Sequence, residues 1–570
     1  MSDGSSMEKN LKQDSPVENT LTVTSPYEND KPSTSGSRWE AFKDSFKRPE
    51  LGNEVNMDEA NDFQRSLKQR QLQMIALTGC VGSGLLVASG KALSNGPACV
   101  LVAWAVVSSF LYCTMQSLAE LGATFPVSGS FATFATRFID DSWGFAVGWN
   151  YAMFWIMVLP LELVASSLTI QFWKSKINLD VWITIFYLGI LVLNLAGNKG
   201  FGEFEFIAAL IKLAAIVGFN ILSIVLICGG GDEGFIGAKY WREFGAFTTG
   251  FKGFVSVLIT AVYSLAGTEL IGLTASEAKD ARKTLPKAIK QVFWRIILFY
   301  MITLTLIGFL VAPNNPELIG ASSDASASPF VIAIRNGGIK VLPSIFNVVV
   351  LIALLSIANS SVYGCSRTLV ALSQQGMAPK ILNYVDRKGR PTVAYILVFF
   401  VGLLSFISAS KKREVAFEWL MALSGLSSLF TWFSICLSHY RFRLAMKHQG
   451  RSLGELPYLA LTGTWGSIYS MVCLVVILCL QFWTSVWPYK QKPNVTAFFE
   501  NYLGAIVVLV FFIGHKIYKR KFFDYVKLED VDLDSGRNVI DMDLLMQEIA
   551  QEKEALRHLP WYKKVLNFLF

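Results

Sequence analysis

From about residue 74 onward the chain is a succession of long apolar stretches separated by short polar ones. Each stretch reaches roughly 20 residues, the length an α-helix needs to cross the hydrocarbon of a bilayer. The pattern predicts spans near 74–94, 98–121, 143–171, 180–198, 203–229, 253–275, 291–312, 339–364, 392–410, 416–437, 466–488 and 497–518. The fold class this implies is an all-α polytopic membrane protein with twelve transmembrane helices. Residues 1–73, rich in Ser, Asn, Asp and Lys, show little periodicity and read as a disordered tail. Residues 74–518 form the helical body, and residues 519–570 form a second polar tail. No cleavable signal peptide is predicted, because the first apolar run begins near Met74 after a long polar leader.

Lysine and arginine assign the sides of this body. Arg65, Lys68 and Arg70 precede the first span; Lys279, Arg282, Lys283, Lys287 and Lys290 follow the sixth. Lys380, Arg387 and Arg390 follow the eighth, Arg441, Arg443 and Lys447 the tenth, and Lys516, Lys519 and Arg520 the twelfth. All fall on one face, which is therefore expected to be cytosolic, with both termini there. The opposite loops carry fewer cations, among them Lys239, Arg242, Lys411 and Lys412. Asn494-Val495-Thr496 then faces outward as a glycosylation sequon.

Composition agrees and excludes other classes. Hydrophobic residues make up 52% of the 570 residues and charged residues only 16%, against roughly 25% charged in soluble proteins. The net charge of +8 does not point to nucleic acid, because the cations are spread through loops rather than gathered in a patch. The eight Cys contain no CxxC pair and the four His are never at ligand spacing, which argues against a metal enzyme. Nothing in the pattern calls for a cofactor.

Two spans depart from plain hydrophobicity. The first is centred on Thr78-Gly79-Cys80-Val81-Gly82-Ser83-Gly84. Each glycine costs about 1 kcal/mol against Ala in a helix interior. Close packing through small residues is one reading. The other is a helix broken at mid-membrane, with the N–H groups of Gly82, Ser83 and Gly84 aimed at an anion from the start of the second half-helix. The sixth span offers a counterpart in Tyr263-Ser264-Leu265-Ala266-Gly267-Thr268-Glu269-Leu270. Two interrupted spans five helices apart are the trace expected of a five-plus-five inverted repeat. One break binds a carboxylate through N–H groups and the other an ammonium through freed carbonyls, so the ligand is an α-amino acid. Gly79, Gly82, Ser83, Gly84, Tyr263, Ser264, Ala266, Gly267 and Glu269 are the candidate substrate contacts.

Ionisable residues inside spans are costly and therefore candidates for function. They are Glu120, Glu162, Lys212 and Glu269. Glu120 sits near the cytosolic end of its span and is expected to reach water. Glu162 follows Pro160 and serves structure or gating. Lys212 and Glu269 are deep enough to exchange a proton near neutral pH when buried, or else form a static pair. Lys212, Glu269 and Glu162 are the candidates for proton coupling.

The segments QLQMIALTGCVGSGLLVASG (71–90), FPVSGSFATFATRFID (125–140), VLPLELVASSLTIQFW (158–173) and YSLAGTELIGLTASEAKDARKTLPKAIKQVFWRI (263–296) resemble the fungal amino-acid permeases of the amino acid–polyamine–organocation superfamily. So do LMALSGLSSLFTWFSICLSHYRFR (420–443), SRWEAFKDSFKR (37–48) and the C-terminal segment ending WYKKVLNFLF. The resemblance implies the LeuT-like fold in the first ten spans, with two further helices, and proton-coupled uptake of L-amino acids at the plasma membrane, of broad range. By position, Gly82, Ser83 and Gly84 match the family's carboxylate-binding glycines. Ser264, Ala266 and Gly267 match the ammonium-facing stretch, and Lys212 the lysine that replaces a bound cation. Gln71 stands where the family usually has His, and Thr78 where it has Gly; both bear on substrate range. Lys9 and Lys12 resemble ubiquitin acceptors, which implies a ubiquitin-ligase partner, and residues 541–558 read as a short amphipathic helix. The rival readings are an amino-acid sensor on the same fold and a permease of narrow range.

Overall fold

The computed structural model describes residues 40, 43–47, 81–127, 129–274, 281–319, 328–409, 426–488, 493–520, 522–537, 554, 557 and 559–561. Among these there is no strand. Helices are the expected solution, because every backbone N–H and C=O must find a partner where water is absent. Among the described residues eight helices are long and apolar enough to cross a membrane, and Gly84–Leu93, Leu179–Leu195 and Thr392–Phe406 are shorter apolar helices.

The main elements are α1 Gly84–Leu93, whose first turn Gly84–Ala88 is π-wound, α2 Pro97–Thr124, α3 Phe131–Phe138, α4 Asp141–Thr169, α5 Leu179–Leu195 and α6 Gly197–Ile227. Next come α7 Gly250–Leu265, α8 Leu270–Thr274, and α9 Ala281–Arg295, which runs through a π-wound stretch Ile296–Ile302 into α10 Thr303–Leu310. The last are α11 Leu342–Gln374, α12 Thr392–Gly402, α13 Ser427–His448, α14 Gly463–Val486 and α15 Val495–Lys519. Asn178 and Asn494 cap α5 and α15 by accepting from the N–H groups of Asp180 and Thr496. The sequon asparagine thus serves as a helix cap.

Helix α4 runs against α11, and α2 is flanked by α7, α9, α13 and α14. The residues facing inward are not uniformly apolar. Ser356, Asn359, Ser360, Ser361, Ser366 and Arg367 on α11 are all buried. This explains why α11 extends to Gln374, well past the predicted limit at 364: its polar positions pack against protein and not lipid. The outer face is apolar, with Val192, Ile207, Ile221, Ile224, Val510 and Ile517 exposed, as a lipid-facing belt requires.

Parts of both tails dock on the charged face. The disordered reading of residues 1–73 does not hold at residues 43–47, which form a turn on the segment 384–390. Arg387 pairs with Asp44, and Tyr384 Oη donates to the Phe46 carbonyl at 2.7 Å. The Arg390 guanidinium covers the Phe46 ring, bonds Ser45 Oγ at 2.9 Å, donates to the Leu195 carbonyl at 2.7 Å and pairs with Asp386 at 2.6 Å. Residues 522–537 form a strap. Val526 N–H donates to the Ile139 carbonyl at 3.1 Å, Arg441 bonds the carbonyls of Phe138 and Val526, and Gln449 donates to Val531 at 2.9 Å. Sequence polarity concealed both: the turn at 43–47 is held by charge and hydrogen bonds, and the strap buries Val531 and Leu533 from within an acidic stretch. Residues 541–553 of the expected amphipathic helix, and Lys9 and Lys12, lie outside the described residues.

Candidate functional site

In the first span the described residues begin at Val81, and a helix start falls at the glycines. Val81 and Gly82 are not helical, and winding begins at Ser83, with Leu86 N–H donating to the Gly82 carbonyl at 2.9 Å. The N–H groups of Gly82, Ser83 and Gly84 therefore have no acceptor within α1, and the positive end of its dipole lies there. Gly79 lies outside the described residues.

The sixth span is interrupted. Helix α7 stops at Leu265, Ala266 is extended (φ −61°, ψ 151°), Gly267 has φ +88°, and α8 begins at Leu270. A side chain at position 267 would be strained at that φ. The opened backbone is held by side chains. Gly267 N–H donates to Glu269 Oε1 at 3.2 Å, and Trp432 Nε1 on α13 donates to Glu269 Oε2 at 3.0 Å. Tyr300 Oη in the π-wound stretch donates to the Ser264 carbonyl at 2.8 Å, and Arg295 Nη2 to Thr268 Oγ1 at 2.6 Å.

The helix start of the first span and the break of the sixth touch. A Cβ built on Gly84 would lie 2.5 Å from Ser264 Cα, and one on Gly82 would lie 1.9 Å from Ile357 Cδ1 on α11. Gly84 has no room for a side chain because α7 passes there, and the same place is a helix start.

A carboxylate closes the arrangement. Ser83 Oγ donates to Glu162 Oε1 at 2.5 Å and lies 3.3 Å from Tyr263 Oη. Glu162 is wholly buried, and its Oε2 has no hydrogen-bond partner among the described residues. Ser83, Tyr263 and Ala266 are partly exposed, whereas Gly82, Gly84, Ser264, Gly267 and Glu269 are buried. The sequence-predicted residues thus divide into three groups. Ser83 and Tyr263 meet at Glu162. Glu269 turns back onto its own break and Trp432. Ser264 Oγ donates within α7, to the Thr260 carbonyl at 2.8 Å.

Lys212, also buried, donates from Nζ to Ser356 Oγ at 2.8 Å, and Ser356 Oγ donates to Glu205 Oε2 at 2.6 Å. Asn359 Nδ2 donates to Glu205 Oε1 at 3.0 Å, and Asn194 Nδ2 to Asn359 Oδ1 at 3.0 Å. Lys212 is close enough to act electrostatically on both Glu162 and Glu205. Sequence reasoning missed Glu205, because it falls at the hydropathic boundary of the predicted span 203–229. The signal was present: Glu205 and Lys212 are two helical turns apart and so share a face.

Glu120 does not reach water as expected. It is wholly buried and accepts from Arg443 Nε at 2.5 Å, Arg443 Nη2 at 2.6 Å and Ala460 N–H at 2.7 Å, with His439 Nε2 3.1 Å away. The extension of α13 to His448, beyond the predicted limit at 437, carries Arg443 back over the end of α2.

The sequence model described as "Amino acid permease" matches residues 71–528. The chain belongs to the amino-acid permease family. The amino-acid permease GAP6 of Candida albicans is 60% identical to it over 542 residues, which are 93% of this chain and 95% of that one. The general amino-acid permease GAP1 of Saccharomyces cerevisiae is 47% identical over the whole of both chains. Among solved structures, a manganese transporter of Eremococcus coleocola superposes with a TM-score of 0.51 at 15% identity, covering 84% of this chain and 98% of that one. That likeness shows the fold alone. Membership of the family, with eight helices fit to span, makes this permease a multi-pass membrane protein and an amino-acid transporter in kind.

Proposed function

We propose that the permease takes up L-amino acids of broad range across the plasma membrane by proton symport. Twelve spans carry it, the first ten forming a five-plus-five inverted repeat, with both termini cytosolic. The observation that carries this reading is the contact of a helix N-terminus at Ser83 with an opened backbone at Ala266–Glu269, beside the buried acid Glu162. The substrate carboxylate binds the N–H groups of Gly82, Ser83 and Gly84, with Gly79 completing the turn. The ammonium faces Tyr263 and Ala266, and the backbone between Ser264 and Gly267 shapes that side. Glu269 holds the second break open. Glu162, Lys212 and Glu269 carry the coupling charge.

Broad range is supported by the likeness, along the whole chain, to a protein named as a general amino-acid permease. The driving force suffices: one proton moving through ~100 mV supplies roughly 2.3 kcal/mol, about 50-fold accumulation. Lys9 and Lys12 are the proposed ubiquitin acceptors, through which a ligase withdraws the permease from the surface.

The test is uptake of one labelled amino acid into vesicles containing the purified protein, with and without acid outside, in competition with each of the others. Acid-driven accumulation that many L-amino acids suppress is the expected result. Binding without passage would instead favour a sensor, suppression by one chemical class a narrow permease, and accumulation indifferent to the proton gradient a uniporter or exchanger.

A further inference from the structure

We infer that Glu205 and Ser356 form, with Lys212, the inward half of the proton path. This deepens the proton coupling proposed above and rests on it. The hydrogen bonds run in one direction: Lys212 Nζ donates to Ser356 Oγ at 2.8 Å, and Ser356 Oγ donates to Glu205 Oε2 at 2.6 Å. A proton therefore moves by two short hops. Lys212 gives a proton to Ser356 Oγ as the serine gives its own to Glu205 Oε2. The ammonium becomes an amine, the carboxylate an acid, and the serine ends as it began. No further reactant is required. Glu205 then releases the proton to the cytosol, and Lys212 takes up the next proton from the outward side.

Position supports the direction. Helix α6 starts at Gly197 on the face read as cytosolic, so Glu205 lies inward of Lys212 by about 10 Å along the axis. The seven-residue separation is too long for a relaxed direct pair, and α11 supplies the hydroxyl that spans it. The acceptor is fixed in place: Asn359 holds Glu205 Oε1 and Asn194 holds Asn359, so Oε2 stays turned to Ser356. The other ionisable groups around the path are Glu162 on α4 and, on α11 further inward, Tyr363 stacked on Phe201 at 4.3 Å with Arg367 over its ring at 3.9 Å. Arg367 lies on the inward side of the path.

The experiment compares wild type, Glu205→Gln and Ser356→Ala in proteoliposomes. Two rates are read: exchange of labelled for unlabelled amino acid, which needs no net proton movement, and acid-driven accumulation with proton entry followed by an internal pH dye. Glu205→Gln and Ser356→Ala are each expected to lower the ratio of proton-driven uptake to exchange by about tenfold or more, a modest cost for removing a positioned proton-transfer group. A merely structural role would lower both rates together and leave the ratio unchanged, which overturns the relay. If wild type is acid-driven and Ser356→Ala keeps its ratio, the relay falls and the symport reading stands. If wild type itself shows no acid-driven accumulation, both fall.

Discussion

Gly84, at the start of α1, and Ser264, at the end of α7, approach so closely that a Cβ on the glycine would meet the serine's backbone at 2.5 Å. Backbone cannot step aside as a side chain can, so Gly84→Ala should separate the two helices and abolish uptake. At Gly82 the obstacle is only the tip of Ile357. Gly82→Ala should lose part of its uptake and regain it when Ile357→Ala is added, whereas no such second change rescues Gly84→Ala. Initial uptake rates, normalised to protein at the membrane, decide the matter. Equal tolerance at the two positions would contradict the packing described.

Glu269 uses both oxygens, one on Gly267 N–H and one on Trp432 Nε1. A glutamine offers one acceptor oxygen and an NH2, so Glu269→Gln leaves one buried N–H facing another. The expected cost is about 1–3 kcal/mol of stability. Trp432→Phe removes the second donor, and the double variant should be less unstable than the sum of the singles. Thermal unfolding in detergent measures all three; strict additivity would show that the bond contributes nothing.

The Glu120–Arg443 pair is buried at the end of α2, and removing one member strands the other. Arg443→Ala should cost about 3–5 kcal/mol and appear as a fall in folded yield, with the remaining protein keeping its KM. A change in KM at normal yield would place the pair in the substrate path instead.

The strap should withstand acid. Asp532 is held down to about 2 by the Ser535 hydroxyl first, then by the Ser535 and Asp534 N–H groups. A depressed carboxyl contributes stability that is present above its ordinary value and lost only as pH falls through about 2. Exchange protection at Val526 should therefore be the same at about pH 5 as at about pH 7.5 once intrinsic rates are removed. Arg441→Ala, which deletes bonds to both Phe138 and Val526, should raise exchange across residues 522–537 by about tenfold or more. Loosening between those two pH values would mean that another group governs the strap.

Among the described residues hydropathy located the long apolar helices, and the glycines marked a helix start at Ser83 and the opened backbone at Ala266–Glu269, because lipid and backbone geometry act on every residue and leave a local trace. What escaped depended on partners far along the chain. Nothing near Glu120 announces Arg443, more than three hundred residues away. Glu205 looked like a boundary acid until α11 brought Ser356 and Asn359 to it. Glu269 read as a substrate contact from its place beside the break, yet its oxygens are turned to Gly267 and Trp432. The docked parts of the tails are rich in charge, and charge alone does not distinguish a solvated segment from one held by arginines and by buried Val531 and Leu533.

The π-wound turn Gly84–Ala88 carries one residue more than an α-turn would. Each residue advances a helix by about 100°, so the face on which Ser83 sits is set by this surplus as much as by the serine itself. Deleting a single residue within the turn would restore ordinary winding, preserve composition and hydropathy, and swing the hydroxyl away from Glu162. In this stretch the spacing of residues is therefore information in its own right. Between two permeases, a one-residue gap here marks a rotated binding surface, whereas exchange of one aliphatic side chain for another leaves that surface in phase.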